Sequence, residues 1–232
     1  MKINIKNIYC IEALIKSNPE IIEFINIANP KDKKFSKLAN NAKQSGIKIQ
    51  NKSKDFFAAC KEPVVRDIKS ANYEIGDRVL IFDEVQDTRN LGSCLRIASF
   101  FNMDSVIIPK NNSADFNNPA VIETSTGGVY DLNLYKVGNI SQTIKKLQEN
   151  DYFVSGFSEH GEEIFDGHWF HKEKTVFVFG NEQKGIKQLV LKNCDEVVNI
   201  PSTGQITSLN ISTATAIACY GLKIISVEEG IY

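Results

Sequence analysis

The run Val176-Phe177-Val178-Phe179 is apolar at every position and ends at once in Gly180. A strand with one wet face alternates apolar with polar residues. One that is apolar throughout needs cover on both faces, which a parallel sheet between two layers of helices supplies. Residues 175–200 then read as that strand, a turn on Gly180 and Gly185, a short helix, and a second strand stopped by Pro201. Ligands of such sheets bind beyond the carboxyl ends of strands, so the 180–185 turn is the first place to look for one. Its glycines let a ligand or another backbone approach closely, and Glu182 puts a carboxylate at the rim. The glycine spacing is that of a P-loop, but Ile186-Lys187 follows where Lys-Ser or Lys-Thr is required, and no G-x-G-x-x-G occurs. A carboxylate in the turn disfavours a phosphate and permits a cationic ligand. The same residues also fit a plain tight turn from strand to helix.

The rest of the chain extends this pattern. Strands are expected at 79–83, 106–109, 152–157, 175–180 and 197–201, with helices at 90–101, 140–149 and 208–225. The alternation predicts an α/β fold with a mostly parallel sheet and helices on both faces. Residues 111–128 read as a polar connection closing in Ser125-Thr126-Gly127-Gly128. Before residue 76 the texture differs. Ile8, Ile11, Leu14 and Ile15 have helical spacing, and Ile21, Ile22, Phe24 and Ile25 fit a strand. Residues 31–46 form a basic helix with Phe35, Leu38, Ala39 and Ala42 on one face and Lys33, Lys34, Lys37 and Lys43 outside it; 47–49 is another short strand. We therefore expect a small α/β module at 1–58, a linker at 59–75, and a larger unit at 76–232.

Charge separates the two parts. Residues 1–75 hold 14 Lys and Arg against 8 Asp and Glu, a net of +6, while residues 76–232 hold 13 against 20, a net of −7. A basic module on an acidic body suits a polyanionic partner, although lysines that only solubilise a small domain would look the same. No stretch approaches the roughly 20 apolar residues of a membrane span, and the first residues lack a signal-peptide core, so a cytoplasmic protein without a membrane partner is expected. The five cysteines, Cys10, Cys60, Cys94, Cys194 and Cys219, are scattered and contain no C-x-x-C, which suits reduced thiols. His168 and His171 have no third ligand in view, and no metal is expected.

Two further polar clusters sit at sheet ends: Asn90-Leu91-Gly92-Ser93-Cys94-Leu95-Arg96 and Ser208-Leu209-Asn210-Ile211-Ser212. In the first, Asn90 can cap a helix and Gly92 permits a close approach; the second can open the last helix. With Gly180-Asn181-Glu182-Gln183-Lys184-Gly185 and Asp195-Glu196-Val197-Val198-Asn199-Ile200-Pro201 between them, they resemble in order and spacing the three motifs of the SpoU (TrmH-type) branch of the SPOUT RNA methyltransferases. Gln183 departs from the glycine common there, and Thr88-Arg89 from a Pro-His pair. Neither is a reacting group. Residues 8–14 and the basic helix are similar to the small L30e-like substrate-binding domain of many members.

The resemblance implies a trefoil-knotted α/β domain, S-adenosylmethionine as donor, and a homodimer whose active site draws residues from both subunits. It also implies methylation of a ribose 2′-hydroxyl in RNA, most like the bacterial 23S ribosomal RNA guanosine-2′-O-methyltransferases. By position, Gly180, Ile200 and Leu209 match backbone contacts to the donor. Asn90, Arg96, Glu182, Ser208 and Asn210 match the catalytic and RNA-positioning set. Arg96 stands either as proton acceptor, a role for which a guanidinium is poorly suited, or as stabiliser of the forming alkoxide. Three other readings are the same reaction on transfer RNA, a catalytically silent RNA-binding protein, and a base methyltransferase using Cys94 or Cys194 as nucleophile.

Overall fold

The computed structural model describes residues 2–29, 32–165 and 173–228, with side chains described through residue 222. The chain builds two sheets. The first is formed by β1 (Lys2–Ile5), β2 (Ile22–Asn26), β3 (Lys48–Gln50) and β4 (Phe57–Lys61), in the order β1-β4-β2-β3. Helices α1 (Ile8–Ser17) and α2 (Lys33–Gln44) accompany it. On α2, Leu38, Ala39 and Ala42 are buried while Lys33, Lys34, Lys37 and Lys43 are exposed, so the basic face points to solvent as its spacing predicts.

The second sheet has eight strands. They are β5 (Val65–Arg66), β6 (Arg78–Phe82), β7 (Ser105–Pro109), β8 (Asn133–Val137), β9 (Phe153–Phe157), β10 (Glu163–Ile164), β11 (Thr175–Phe179) and β12 (Glu196–Asn199). The order is β10-β12-β9-β11-β6-β7-β8-β5, and every pairing is parallel. The helices are α3 (Thr88–Phe100), α4 (Pro119–Thr124), α5 (Ile140–Gln148), α6 (Gln188–Leu191) and α7 (Ile211–Glu228).

The strands β11 and β6 lie side by side at the centre and divide their side chains between two cores. Phe177, Phe179, Leu80 and Phe82 join the cluster containing Leu91, Leu95 and Ala218 of α3 and α7. Val176, Val178, Val79 and Ile81 join the opposite cluster with Ile140, Ile144 and Leu147 of α5. Both faces are covered, which is why the apolar run at 176–179 has no polar position.

Several boundaries differ from expectation. Helix α3 begins at Thr88, because the side chain of Asp87 accepts the Arg89 and Asn90 N–H groups and caps the helix ahead of Asn90. Gly92 does permit a close approach, but by α4: a Cβ there would lie 2.6 Å from Thr124 Cβ. Helix α7 begins at Ile211, leaving Ser208, Leu209 and Asn210 in an exposed segment before it. The stretch 111–128 holds α4, and 59–75 holds most of β4 and all of β5. The pair His168 and His171 lies outside the described residues.

The two sheets share a core. Ile11 and Leu14 of α1 belong to the same cluster as Val121 and Ile122 of α4. Polar contacts fasten the seam: Glu123 Oε1 accepts the Lys6 and Asn7 N–H groups at 2.6 and 3.1 Å, and Tyr130 Oη donates to the Lys61 carbonyl at 2.7 Å. Glu123 thus receives two amides just ahead of α1. Replacing it in Glu123→Ala leaves both to water, and we expect a loss of about 1–2 kcal/mol, the scale for hydrogen bonds to a charged group. Urea titration reads this directly; an unchanged midpoint would mean that the seam contributes nothing at this point.

Candidate active site

Parallel pairing brings the carboxyl ends of β6, β9, β11 and β12 to one edge, so the segments that follow them meet there. The segment after β11 is closed on itself. Asn181 N donates to the Gly185 carbonyl at 3.0 Å, and Gly185 N returns a bond to the Asn181 carbonyl at 2.9 Å. Asn181 Oδ1 accepts the Gln183 and Lys184 N–H groups, and its Nδ2 donates to the Glu84 carbonyl at 3.0 Å. Gly180 is required by this closure: a Cβ would stand 2.1 Å from Gly185 C and from Ile186 N.

The end of β6 holds the far side of the turn. Asp83 N donates to the Phe179 carbonyl at 2.8 Å, and Asp83 Oδ2 accepts Lys187 N–H at 3.1 Å. Asp83 is buried and its Oδ1 has no partner. Burial raises its pKa above the ordinary aspartate value, against the lowering effect of the Lys187 contacts. Neighbouring Glu84 is shifted the other way, first by the hydrogen bond from Lys187 Nζ and then by that from Asn112.

The expected catalytic residues fall into two groups. Asn90 Nδ2 donates to Glu182 Oε1 at 2.8 Å, and Asn210 Nδ2 donates to Asn90 Oδ1 at 3.1 Å. One side chain from each of the three polar clusters is therefore joined in a single hydrogen-bonded chain. Asn210 Oδ1 also accepts from Ser212 N and Oγ, at 2.9 and 2.7 Å, fixing the start of α7. Arg96 stands apart. It is exposed on α3 and makes no hydrogen bond or ion pair with any described residue.

Two cavities flank the chain. The first, of about 460 Å³, is lined by Gly180, Ile200, Leu209, Ser208, Glu182 and Asn210, by the turn 158–160 after β9, and by Leu191 and Ala214. Phe157 and Phe179 also line it and stack at 4.8 Å between ring centroids. Apolar floor, carboxylate rim and volume suit an organic ligand with a cationic part. The second cavity, of about 360 Å³, lies between residues 84–87 and Asn90 on one side and residues 181–184 on the other. Arg96 lines neither. The expected donor contacts Gly180, Ile200 and Leu209 thus share one cavity, and Ser208 with them.

Sequence reading passed over Glu159, which accepts from Thr207 Oγ1 at 3.5 Å across the first cavity, and over Asn181 and Asp83, which shape the turn. The rule that ligands gather at strand carboxyl ends would have pointed to 158–160. The cysteine reading loses support: burial pushes the Cys94 and Cys194 thiols up to about 12, far from thiolate formation at neutral pH.

The chain matches the SpoU rRNA Methylase family over residues 77–220. It is 32% identical over 214 residues to an uncharacterized tRNA/rRNA methyltransferase of Archaeoglobus fulgidus, covering 89% of this chain and 86% of the relative. It is 34% identical over 146 residues to the 23S rRNA (guanosine-2′-O-)-methyltransferase RlmB of Escherichia coli, covering 61% of this chain and 58% of that protein. Among solved structures, the SpoU methyltransferase AviRb from Streptomyces viridochromogenes, in complex with AdoMet, superposes with a TM-score of 0.75 at 19% identity, over 97% of this chain and 91% of that one. The all-parallel sheet between two helical layers is therefore the fold of SpoU methyltransferases.

The buried carboxyl of Asp83 makes stability depend on pH. Between the unfolded aspartate value and the raised native one, the native state keeps a proton that the unfolded state has lost, so stability falls as pH rises through that window. Asp83→Asn keeps an acceptor for Lys187 N–H and removes the titration. Urea midpoints measured from about pH 4 upward should fall for the wild type relative to the variant; parallel curves would show that Asp83 keeps its ordinary pKa.

Proposed function

The chain belongs to the SpoU rRNA methylase family, and from that premise we propose that it transfers a methyl group from S-adenosylmethionine to a ribose 2′-hydroxyl, on a guanosine of large-subunit ribosomal RNA. The observation that carries the reading is the chain Glu182–Asn90–Asn210 at the rim of the cavity that Gly180, Ile200 and Leu209 line. The residues present fit the donor: Phe157, Phe179 and Leu191 offer apolar surface, and Glu159 and Glu182 offer carboxylates to a sulfonium and an amino group. When bound, S-adenosylmethionine would supply an activated methyl group to the ribose oxygen, leaving as a neutral thioether while the hydroxyl proton passes to solvent.

The protein's part is alignment and charge. Holding two reactants in register supplies as much as roughly 7–11 kcal/mol in well-oriented reactions. The closed 180–185 turn and the Glu182–Asn90–Asn210 chain hold such a register. Arg96 stabilises the oxygen as it becomes negative. Its position outside both cavities supports a homodimer in which each subunit lends Arg96 to its partner's site. Aromatic side chains near it support the same reading: Phe100 and Tyr220 are 80% and 57% exposed, and Phe101 meets Tyr220 edge to face at 6.4 Å, a surface apolar enough to favour cover.

The 1–58 module, with its exposed lysines on α2, is the substrate-binding domain of L30e type in this reading, residues 59–75 connect it to 76–232, and the latter carries the trefoil knot that the family resemblance implies. The E. coli relative's name supports ribosomal RNA and a guanosine acceptor. Mass-spectrometric mapping of ribose methylation in total RNA from a deletion strain tests the proposal. Loss of one 2′-O-methylguanosine from large-subunit RNA is expected; loss from transfer RNA would move the target, and no loss would favour a silent RNA-binding protein.

Arg96→Ala should lower single-turnover transfer by at least ~100-fold, the scale for an electrostatic stabiliser or general base, with donor affinity by calorimetry unchanged. Arg96→Lys keeps charge without the planar fork, so its rescue reports simple charge stabilisation. Co-expression of Arg96→Ala with Asn210→Ala should restore activity in mixed dimers, because one of their two sites is then wholly wild type. Absence of complementation would place Arg96 and Asn210 in the same subunit's site.

A further inference from the structure

The second cavity has no ligand assigned to it. Its lining contains no apolar side chain. It shares the wall 181–184 with the first cavity, so Glu182 faces both. Asn90 lines the second cavity, Asn210 lines the first, and the two are hydrogen-bonded to each other. A ligand in each cavity would therefore meet at Glu182 and Asn90, and two reactants of a group transfer need that adjacency.

We propose that the second cavity receives the acceptor nucleoside, with its ribose at the shared wall and its base against Gln86 and Asp87. This rests on the methyl-transfer reading for the identity of the donor next door. The chemistry of the lining selects the ligand class. Glu84, Asp87 and Glu182 against Lys184 make the rim negative, which keeps phosphates outside and admits a group rich in N–H and O–H donors. Glu84 is already bonded to Lys187 and Asn112, and Asp87 uses Oδ1 as the helix cap. That leaves the second carboxylate oxygen of Asp87 and the amide of Gln86, which is exposed and has no partner among the described residues. An acceptor beside a donor–acceptor amide complements guanine, whose Watson–Crick edge presents N1–H and the N2 amino group beside the O6 acceptor, better than it complements adenine or a pyrimidine. A base reaches such a lining from a nucleotide turned out of a helix or taken from a loop, the usual target of sequence-specific RNA recognition. Gln86 and Asp87 are thus specificity-determining residues, and Asn90 and Glu182 position the ribose.

The test reads binding separately from turnover. Ribosomal and transfer RNA transcripts carrying 6-thioguanosine are irradiated with the intact protein, and cross-linked peptides are identified by mass spectrometry. Cross-links within 84–90 and 181–184 are expected. In Gln86→Trp, where an indole occupies the cavity, they should fall by about 10-fold or more, and methyl transfer should fall with them. S-adenosylmethionine affinity, which also reports folding, should stay within about twofold, because Gln86 lines only the second cavity. Gln86→Ala should lower transfer to guanosine and narrow its preference over adenosine in a transcript altered at the target. Cross-links only elsewhere, or unimpaired transfer by Gln86→Trp, overturn the assignment. Cross-links at the cavity without any ribose methylation would uphold the nucleoside site and sink the methyl-transfer reading.

Discussion

The main chain at Gly180 passes so close to Gly185 and Ile186 that no side-chain carbon fits between them. That contact closes the turn after β11, and the placement of Glu182 against Asn90 follows from it. The closed turn presents Glu182 outward to Asn90, gives the two cavities their common wall, and delivers Lys187 N–H to Asp83. An alanine at 180 would open the turn, and Glu182 would lose its register with Asn90. The turn is held from behind by a buried carboxylate with one unpartnered oxygen, a costly arrangement in a low-dielectric setting. Such cost is commonly retained where geometry has to be fixed for function.

Beneath the turn, the sheet supplies a floor that cannot easily shift. Phe82, Phe177 and Phe179 are buried between β6, β11 and the helices α3 and α7, and a fully buried side chain of this size contributes roughly 1.5–3 kcal/mol by transfer. The same cluster runs on through α4 into α1 and the first sheet, with Glu123 fastening the seam. The basic face of α2 is thereby held in a set direction relative to the active-site edge rather than tethered by a free linker. A nucleic acid touching both surfaces meets one preorganised body, which lowers the ordering cost of binding.

Much of this was legible in the chain itself. The unbroken apolar run at 176–179 announced a doubly covered strand, and the flanking strands and helix α5 lie within a residue or two of where their periodicity put them. Strands β1, β8 and β10 were missed as well as β4 and β5, and three of the departures have a visible physical reason. Strand β4 is built on Ala58, Ala59 and Cys60, small residues with little intrinsic preference for extended structure, and it exists because β1 and β2 pair with it on either side. Strand β5 is two residues long and follows from β8 alone. At α3, Asp87 and Asn90 are comparable caps by type, and the earlier one wins because its carboxylate reaches both free amides. The site was visible as three polar clusters, but not as a hydrogen-bonded chain, since its partners are separated by 92 and 120 residues and only the sheet brings them together.

Charge is divided in a way that explains how so acidic a site can serve an RNA enzyme. The rim where the cavities meet carries Glu84, Asp87, Glu159 and Glu182, a field that repels phosphate at close range. Phosphate contacts give affinity and orientation, while contacts to base and sugar give selectivity, and the two need not share a place. The exposed lysines of α2 lie on the first sheet's helix and line neither cavity, so in the proposed reading backbone neutralisation falls there. The acidic rim then faces only the nucleoside whose donors can satisfy it. A strand lying on the basic face pays little repulsion at the site so long as its phosphates stay outside the cavity, and a nucleotide presenting its phosphate first is turned away. On the proposed reading, the same carboxylates that would weaken non-specific binding sharpen the choice of which atom meets the methyl group.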